Sequence, residues 1–250
     1  MVFSKWYLSM SKQDIDNTIA VVLGGHVNGL SIIRELSASG VRNIGLLTTG
    51  FSIAQYSNKV LYHSNIGSDY SGLVSELKKI RNIYDYIVVY PTDDRFLELL
   101  TKSRGQLIDF CFLPFNESNL EKSLDKAHQY EVCEALGVPY PKTIVVQKTI
   151  TPEELNDLQF PILVKPAFRY DESRNVFRNR LVESLSELRK ILVEIEPFFK
   201  DRLKFIFSEY IPGSDSNIFS YACFMSKEGQ ALNEWVGKKL SQHPDQYGVF

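Results

Sequence analysis

The stretch TIAVVLGGHVNG, Thr18 to Gly29, joins a run of strand-forming residues to a pair of glycines. The β-branched run from Thr18 to Leu23 predicts a strand, and Gly24-Gly25 a tight turn into a helix. Leu30 to Ser39 then places Ile33, Leu36 and Ala38 near helical spacing and meets Gly40. Asn43 to Leu47 reads as a second strand. Ser71 to Arg81 carries Leu73, Val74, Leu77 and Ile80 as a helical stripe. Asp85 to Tyr90 (DYIVVY) is a third strand, stopped by Pro91, with Thr92 or Asp93 placed to cap a helix through Leu100. Phe112 to Pro114 is a brief strand. This alternation predicts an α/β fold with a parallel, doubly wound sheet over residues 1–115.

Beyond Pro114 the pattern changes. Asn116 to Gly137 reads as helical, and Lys142 to Val146 as a strand. Thr151-Pro152-Glu153-Glu154 has capping-box spacing with proline at the first helical position. Pro161 to Lys165 is a strand, and Ser184 to Glu187 opens a helix to Ile195. Phe205 to Tyr210 is a further strand. Phe219 to Met225 and Ala231 to Lys239 flank a turn at Ser226 to Gly229, the pattern of a hairpin. Residues 116–250 therefore read as a second, α+β domain with antiparallel pairing.

The 250 residues are 44% hydrophobic and 23% charged, enough to bury one large core or several smaller ones. A net charge of −2 gives no field to attract a nucleic-acid backbone. Charges interrupt the first 17 residues, unlike a signal peptide, and no stretch reaches the roughly 20 apolar residues of a membrane span. The location expected is cytoplasmic. Cys111, Cys133 and Cys223 form no C-x-x-C pair, so they read as reduced packing residues.

Several routes to function close early. The turn GGHVNG lacks the G-x-G-x-x-G spacing of a nicotinamide site, and Thr48-Thr49 offers no acid to a ribose. The P-loop, H-E-x-x-H and G-x-S-x-G patterns are absent. Three other features stay open. Glycines ahead of a helix let an anion approach unpaired backbone N–H groups, although packing alone also produces such a turn. Lys126 and Lys165 are poised to meet phosphate as point charges, and Lys165 ends an apolar strand where a lysine is unusual. Ser208 to Gly213 (SEYIPG) runs a strand into a Pro-Gly turn, exposing backbone groups suited to a purine edge.

The order LDK (Leu124 to Lys126) with GVPYPKT (Gly137 to Thr143), then PILVKP (Pro161 to Pro166), then SEYIPG resembles the ATP-grasp superfamily. The nearest group is that of carboxylate–amine ligases related to carbamoyl phosphate synthase and D-aspartate ligase. GGHVNGL (Gly24 to Leu30) and YPTDD (Tyr90 to Asp94) are similar to its pre-ATP-grasp domain. The resemblance implies that ATP, with Mg²⁺, activates a small-molecule carboxylate as an acyl phosphate, which a small-molecule amine attacks. It implies phosphate contacts from Lys126 and Lys165. It implies an adenine pocket lined by Glu209, Tyr210 and Ile211, with the Tyr210 and Ile211 backbone on the base edge and Glu209 near the ribose or hinge. Asp215 would contact the ribose. Lys238 or Lys239 would be catalytic, meeting the transferred phosphoryl and acyl groups. His26 and Asp93 would lie toward the substrate. No nucleic acid or membrane partner is implied, and an assembly of identical copies stays open.

Two departures stand out. The family's phosphate loop is glycine-rich, whereas Ala167 to Arg180 holds no glycine and carries Arg169, Arg174, Arg178 and Arg180, a candidate basic lid. After Lys239 only Asp245 is acidic, so no metal ligand is assigned in this chain and the Mg²⁺-binding acids are expected downstream. The expectation is an incomplete ATP-grasp domain that binds nucleotide with little or no turnover. The alternatives are a non-catalytic nucleotide-binding or regulatory protein of this fold, and a Rossmann-type oxidoreductase.

Overall fold

The computed structural model describes residues 16–240 except Pro114, Asn116, 168–175 and Lys227. The chain divides into two compact units, one up to Glu121 and one from Lys122 onward. The sequence change at Pro114 lies close to that division.

In the first unit the strands are β1 (Thr18–Leu23), β2 (Ile44–Thr48), β3 (Tyr62–Asn65), β4 (Tyr86–Pro91) and β5 (Cys111–Phe112). They form a parallel sheet in the order β3-β2-β1-β4-β5. Helices α1 (Val27–Ala38), α2 (Leu73–Arg81), α3 (Asp94–Lys102) and the short α4 (Arg104–Leu107) connect them. Strand β1 is central and apolar from Ile19 to Leu23, where both of its faces are covered. Ile19, Val21 and Leu23 join Leu73, Leu77 and Ile80 of α2 and Phe96 and Leu100 of α3 in one core. Val22 joins Ile33 of α1, Ile44, Leu46 and Ala54 in a second core. The helices thus lie on both faces, as a doubly wound sheet requires. Asp93 caps α3 by accepting the Phe96 N–H at 2.9 Å.

The unit from Lys122 onward contains the end of α5 (Glu117–Leu124), then α6 (Lys126–Leu136). The helix predicted as one piece from Asn116 to Gly137 is broken at Asp125, whose carboxylate caps α6 through the Ala127 N–H at 2.8 Å. Gly137 ends α6 with φ +65°, a left-handed conformation that glycine adopts without steric cost. A four-stranded antiparallel sheet follows, in the order β6 (Thr143–Val146), β9 (Phe205–Glu209), β7 (Ile162–Pro166), β8 (Arg180–Val182). Ser184 caps α7 (Leu185–Ile195). Its partner acid Glu187 reaches the Glu183 N–H at 2.8 Å, one residue earlier than a strict capping box. Ile162, Val164, Val182, Phe205 and Phe207 point toward Leu188, Ile191 and Ile195 of α7 and form the core of this unit. Strands β10 (Phe219–Met225) and β11 (Ala231–Lys238) pair separately as an exposed antiparallel hairpin.

The cysteines differ sharply in setting. Cys111 is buried and Cys223 exposed, and burial pushes the Cys111 thiol up to about 12. Only the thiolate is reactive. Iodoacetamide at mildly alkaline pH is therefore expected to label Cys223 readily and Cys111 only after unfolding, as peptide mass mapping would show.

Candidate functional site

Antiparallel register fixes which face of the four-stranded sheet carries which side chain. Lys165 pairs with Ile206 and Leu163 with Ser208, whereas Ile162 and Val164 pair with Glu209 and Phe207. Directly opposed residues share a face. The second set contains the core positions, so Lys165 projects from the opposite face. There its ammonium donates to the Tyr130 hydroxyl at 3.2 Å. Tyr130 lies four residues after Lys126, the first residue of α6, and such residues occupy one side of a helix. The fold thus brings Lys126 and Lys165, 39 residues apart in sequence, to one side of α6.

Two residues of this cluster escaped sequence reasoning. Lys204 stands just before β9, and its ammonium lies 3.6 Å from Asp125, the α6 cap. Its carbonyl accepts the Ala167 N–H at 2.8 Å, tying the end of β7 to the start of β9. Tyr130 is the other, and it also packs on Tyr140 with ring centroids 5.4 Å apart. Neither position carried a signal in the sequence, because both depend on the register between α6 and the sheet.

At the far end of β9 the sheet closes. The Glu209 N–H donates to Lys142 O at 2.9 Å, and the Tyr210 N–H donates to Pro161 O at 3.0 Å. The Glu209 carboxylate accepts the Gln159 N–H at 3.1 Å. Ile211 is exposed. Among the described residues, nothing bonds to the Glu209 carbonyl or the Ile211 N–H.

The other predicted residues have the following local settings. Lys238 is paired with Phe219 across the hairpin, its ammonium 5.8 Å from that ring. Lys239 donates its N–H to Ile218 O at 2.8 Å. Arg180 sits in β8 with its guanidinium 5.2 Å from the Phe177 ring, and Arg178 is exposed. The Asp215 side chain, Arg169, Arg174 and residues 241–250 lie outside the described residues. In the first unit, His26 and Asp93 are exposed and follow the ends of β1 and β4, which are paired neighbours. Among the described residues no three His, Cys, Asp or Glu side chains gather where a metal ion could bind. No described helix is long and apolar enough to cross a membrane.

The architecture is shared with ligases of known structure. N5-carboxyaminoimidazole ribonucleotide synthetase, solved as an ADP complex, superposes with a TM-score of 0.58 at 16% identity over 88% of this chain and 53% of that one. The L-amino acid ligase of Bacillus licheniformis gives 0.60 at 13% identity over 93% and 54%. These are ATP-grasp proteins, and the chain has their fold. In sequence it is similar to the D-aspartate ligase of Enterococcus faecium (strain Aus0004), with 28% identity over 161 residues, 60% of this chain and 38% of that enzyme. It therefore spans 38% of the curated relative it matches and about half of the two solved structures. No protein-family model matches it.

Proposed function

We propose that the unit from Lys122 onward binds ATP and serves a ligase that joins a carboxylate to an amine through an acyl phosphate. The observation that carries this reading is the convergence of Lys126 and Lys165 on one side of α6. Two cations from distant parts of the chain meet there, Lys165 on the sheet face opposite the core, and as point charges they would neutralise a triphosphate. Phosphoryl transfer needs mainly positioning and such neutralisation from the protein.

The sheet also supplies a place for the base. In an extended strand the N–H and C=O of one residue point to the same edge, and successive residues alternate. Glu209 addresses β6 and Tyr210 addresses β7, as their hydrogen bonds show. Continuing that alternation directs the Glu209 carbonyl and the Ile211 N–H to the same edge. They form an acceptor–donor pair matched to the amino group and ring nitrogen of adenine. The pair first expected, the Tyr210 and Ile211 backbone, shifts by one carbonyl on this reading. Glu209 lies three residues along β9 from Ile206, the partner of Lys165. That is about 10 Å at strand rise, a separation suited to a base and its phosphates.

In the same reading Lys238 or Lys239 meets the acyl and phosphoryl groups, Asp215 the ribose, and His26 and Asp93 the substrate. Among the described residues no acidic cluster would hold Mg²⁺, and a bound Mg²⁺ would add neutralisation of the phosphate oxygens to that of the lysines. Thermal unfolding of the chain with ATP and with NAD tests the proposal. A nucleotide at a hundredfold excess over its Kd adds about 2.7 kcal/mol of stability. ATP is expected to raise the Tm and NAD to leave it unchanged, and stabilisation by NAD alone would overturn the reading. Tyr130→Phe keeps the ring but removes the hydroxyl that holds Lys165. It is expected to weaken ATP binding about fivefold in calorimetric titration, with adenosine unaffected.

A further inference from the structure

We propose that the N-terminus of α1 is a binding site for the oxyanion, carboxylate or phosphate, of a small substrate. The inference rests on the ligase reading for its biological meaning, since that reaction needs an anionic acid substrate. Its physical basis lies wholly in the first unit.

Four consecutive backbone N–H groups, those of Gly25, His26, Val27 and Asn28, have no acceptor among the described residues. The next two are satisfied: the Gly29 N–H by the Asn28 side-chain oxygen at 2.9 Å, and the Leu30 N–H by His26 O at 2.9 Å. His26 stands at the cap position of this 12-residue helix but makes no capping bond, and the first turn holds no acid. The neighbouring α3, by contrast, is closed by Asp93. A helix start with free amides and no carboxylate attracts an anion through both the amides and the helix dipole. The position is also apt. Strands β1 and β4 are where the sheet order reverses, and ligands of open α/β sheets settle beyond the strand ends at such a point.

A separate observation points to a ligand at this spot. Ser52 is only 3% exposed, and its hydroxyl is sealed from solvent without any hydrogen-bond partner. Buried hydroxyls are normally satisfied. This one is directed at the α-carbon of Gly25, 2.1 Å from where a side-chain carbon would sit. The Gly25 carbonyl accepts the Ala54 N–H at 3.0 Å, which holds the Ser52 segment against the turn. The hydroxyl rotates freely, so an anion seated on the Gly25 and His26 amides would receive its proton. Glycine at position 25 keeps that approach open.

His26 is the only one of the four histidines that follows a glycine. Protein labelled with ¹³C-carbonyl glycine and ¹⁵N-histidine therefore gives one carbonyl-correlated amide peak, that of Gly25–His26. Titration with sodium phosphate and, separately, sodium acetate is compared with sodium chloride at matched ionic strength and pH. A saturable shift with an oxyanion and none with chloride is expected, and whichever oxyanion acts identifies the group bound. Ser52→Ala should weaken that binding roughly tenfold, the effect of removing a hydrogen bond to a charged group. No shift, the same shift with chloride, or a Ser52→Ala variant that titrates like the parent would overturn the proposal. If the variant fails to fold, the chloride comparison on the parent protein decides alone. The Tyr–Ile amides, labelled the same way and titrated with ATP, report separately on Tyr210–Ile211. A response there with a silent Gly25–His26 peak sinks the anion site and leaves the nucleotide reading intact.

Discussion

Lys165→Met is expected to weaken ATP binding by roughly ten- to a hundredfold while leaving adenosine binding unchanged, because a hydrogen bond to a charged group contributes about 1.5–3 kcal/mol. Methionine preserves most of the apolar stem of lysine and removes only the ammonium, so packing beside Ile206 is retained. Lys165 occupies the sheet face opposite the core. It alternates with Val164 and Pro166, which are buried on the core side, and its ammonium reaches the Tyr130 hydroxyl instead. A nucleotide lacking phosphates would not sense the change. Calorimetric titration with ATP, ADP and adenosine separates the cases. Equal ATP affinity in parent and variant would remove Lys165 from the phosphate site. A parallel loss of adenosine binding would mean that the substitution disturbs the sheet.

The elements legible in the sequence are those whose own residues impose a period. TIAVVL is buried on both faces from Ile19 to Leu23 and DYIVVY on one face through Ile87 and Val89, and both read as strands, as do PILVK and the hairpin about Ser226. Strand β3 was invisible because YHSN is polar and lies at the sheet edge, where one side of each residue meets solvent. What fixes it is remote. The Tyr62 hydroxyl donates to Glu76 at 2.6 Å, and burial together with that carboxylate raises the Tyr62 pKa to about 12. Strand β8 was missed for a similar reason, since three residues carry too little pattern. At the candidate site, Lys126 and Lys165 were legible because a lysine at the end of an apolar strand, or ahead of a helix in a motif, is locally odd. Tyr130 and Lys204 were not, because their significance arises only when α6 is laid against the sheet. The Tyr210 N–H shows the same limit from the other side. Its commitment to Pro161 depends on strand register, which a single strand cannot disclose.

Phe205→Ala is expected to destabilise the unit from Lys122 onward by about 3–5 kcal/mol, the usual cost of emptying a fully buried aromatic site. Phe205 is completely buried, with the rings of Phe177, Phe198 and Phe199 at 6.0, 6.2 and 6.0 Å. It stands opposite Pro166 on β7 and Val146 on β6. Three aromatic neighbours and two strands cannot all collapse into the vacated space, so the loss should sit toward the upper end of that range. Against a typical stability of about 5–15 kcal/mol it is a large fraction. Urea unfolding would show the lowered midpoint, and hydrogen exchange would locate it. Protection should fall in β7 and β9 and persist in β1 and β4, whose cores are formed by other residues. The variant leaves Lys126, Lys165 and the end of β9 chemically intact. ATP at a hundredfold excess over its Kd should therefore restore about 2.7 kcal/mol. A loss below about 1 kcal/mol would show that the aromatic cluster repacks. Equal loss of protection in β1 would show that the two units unfold as one.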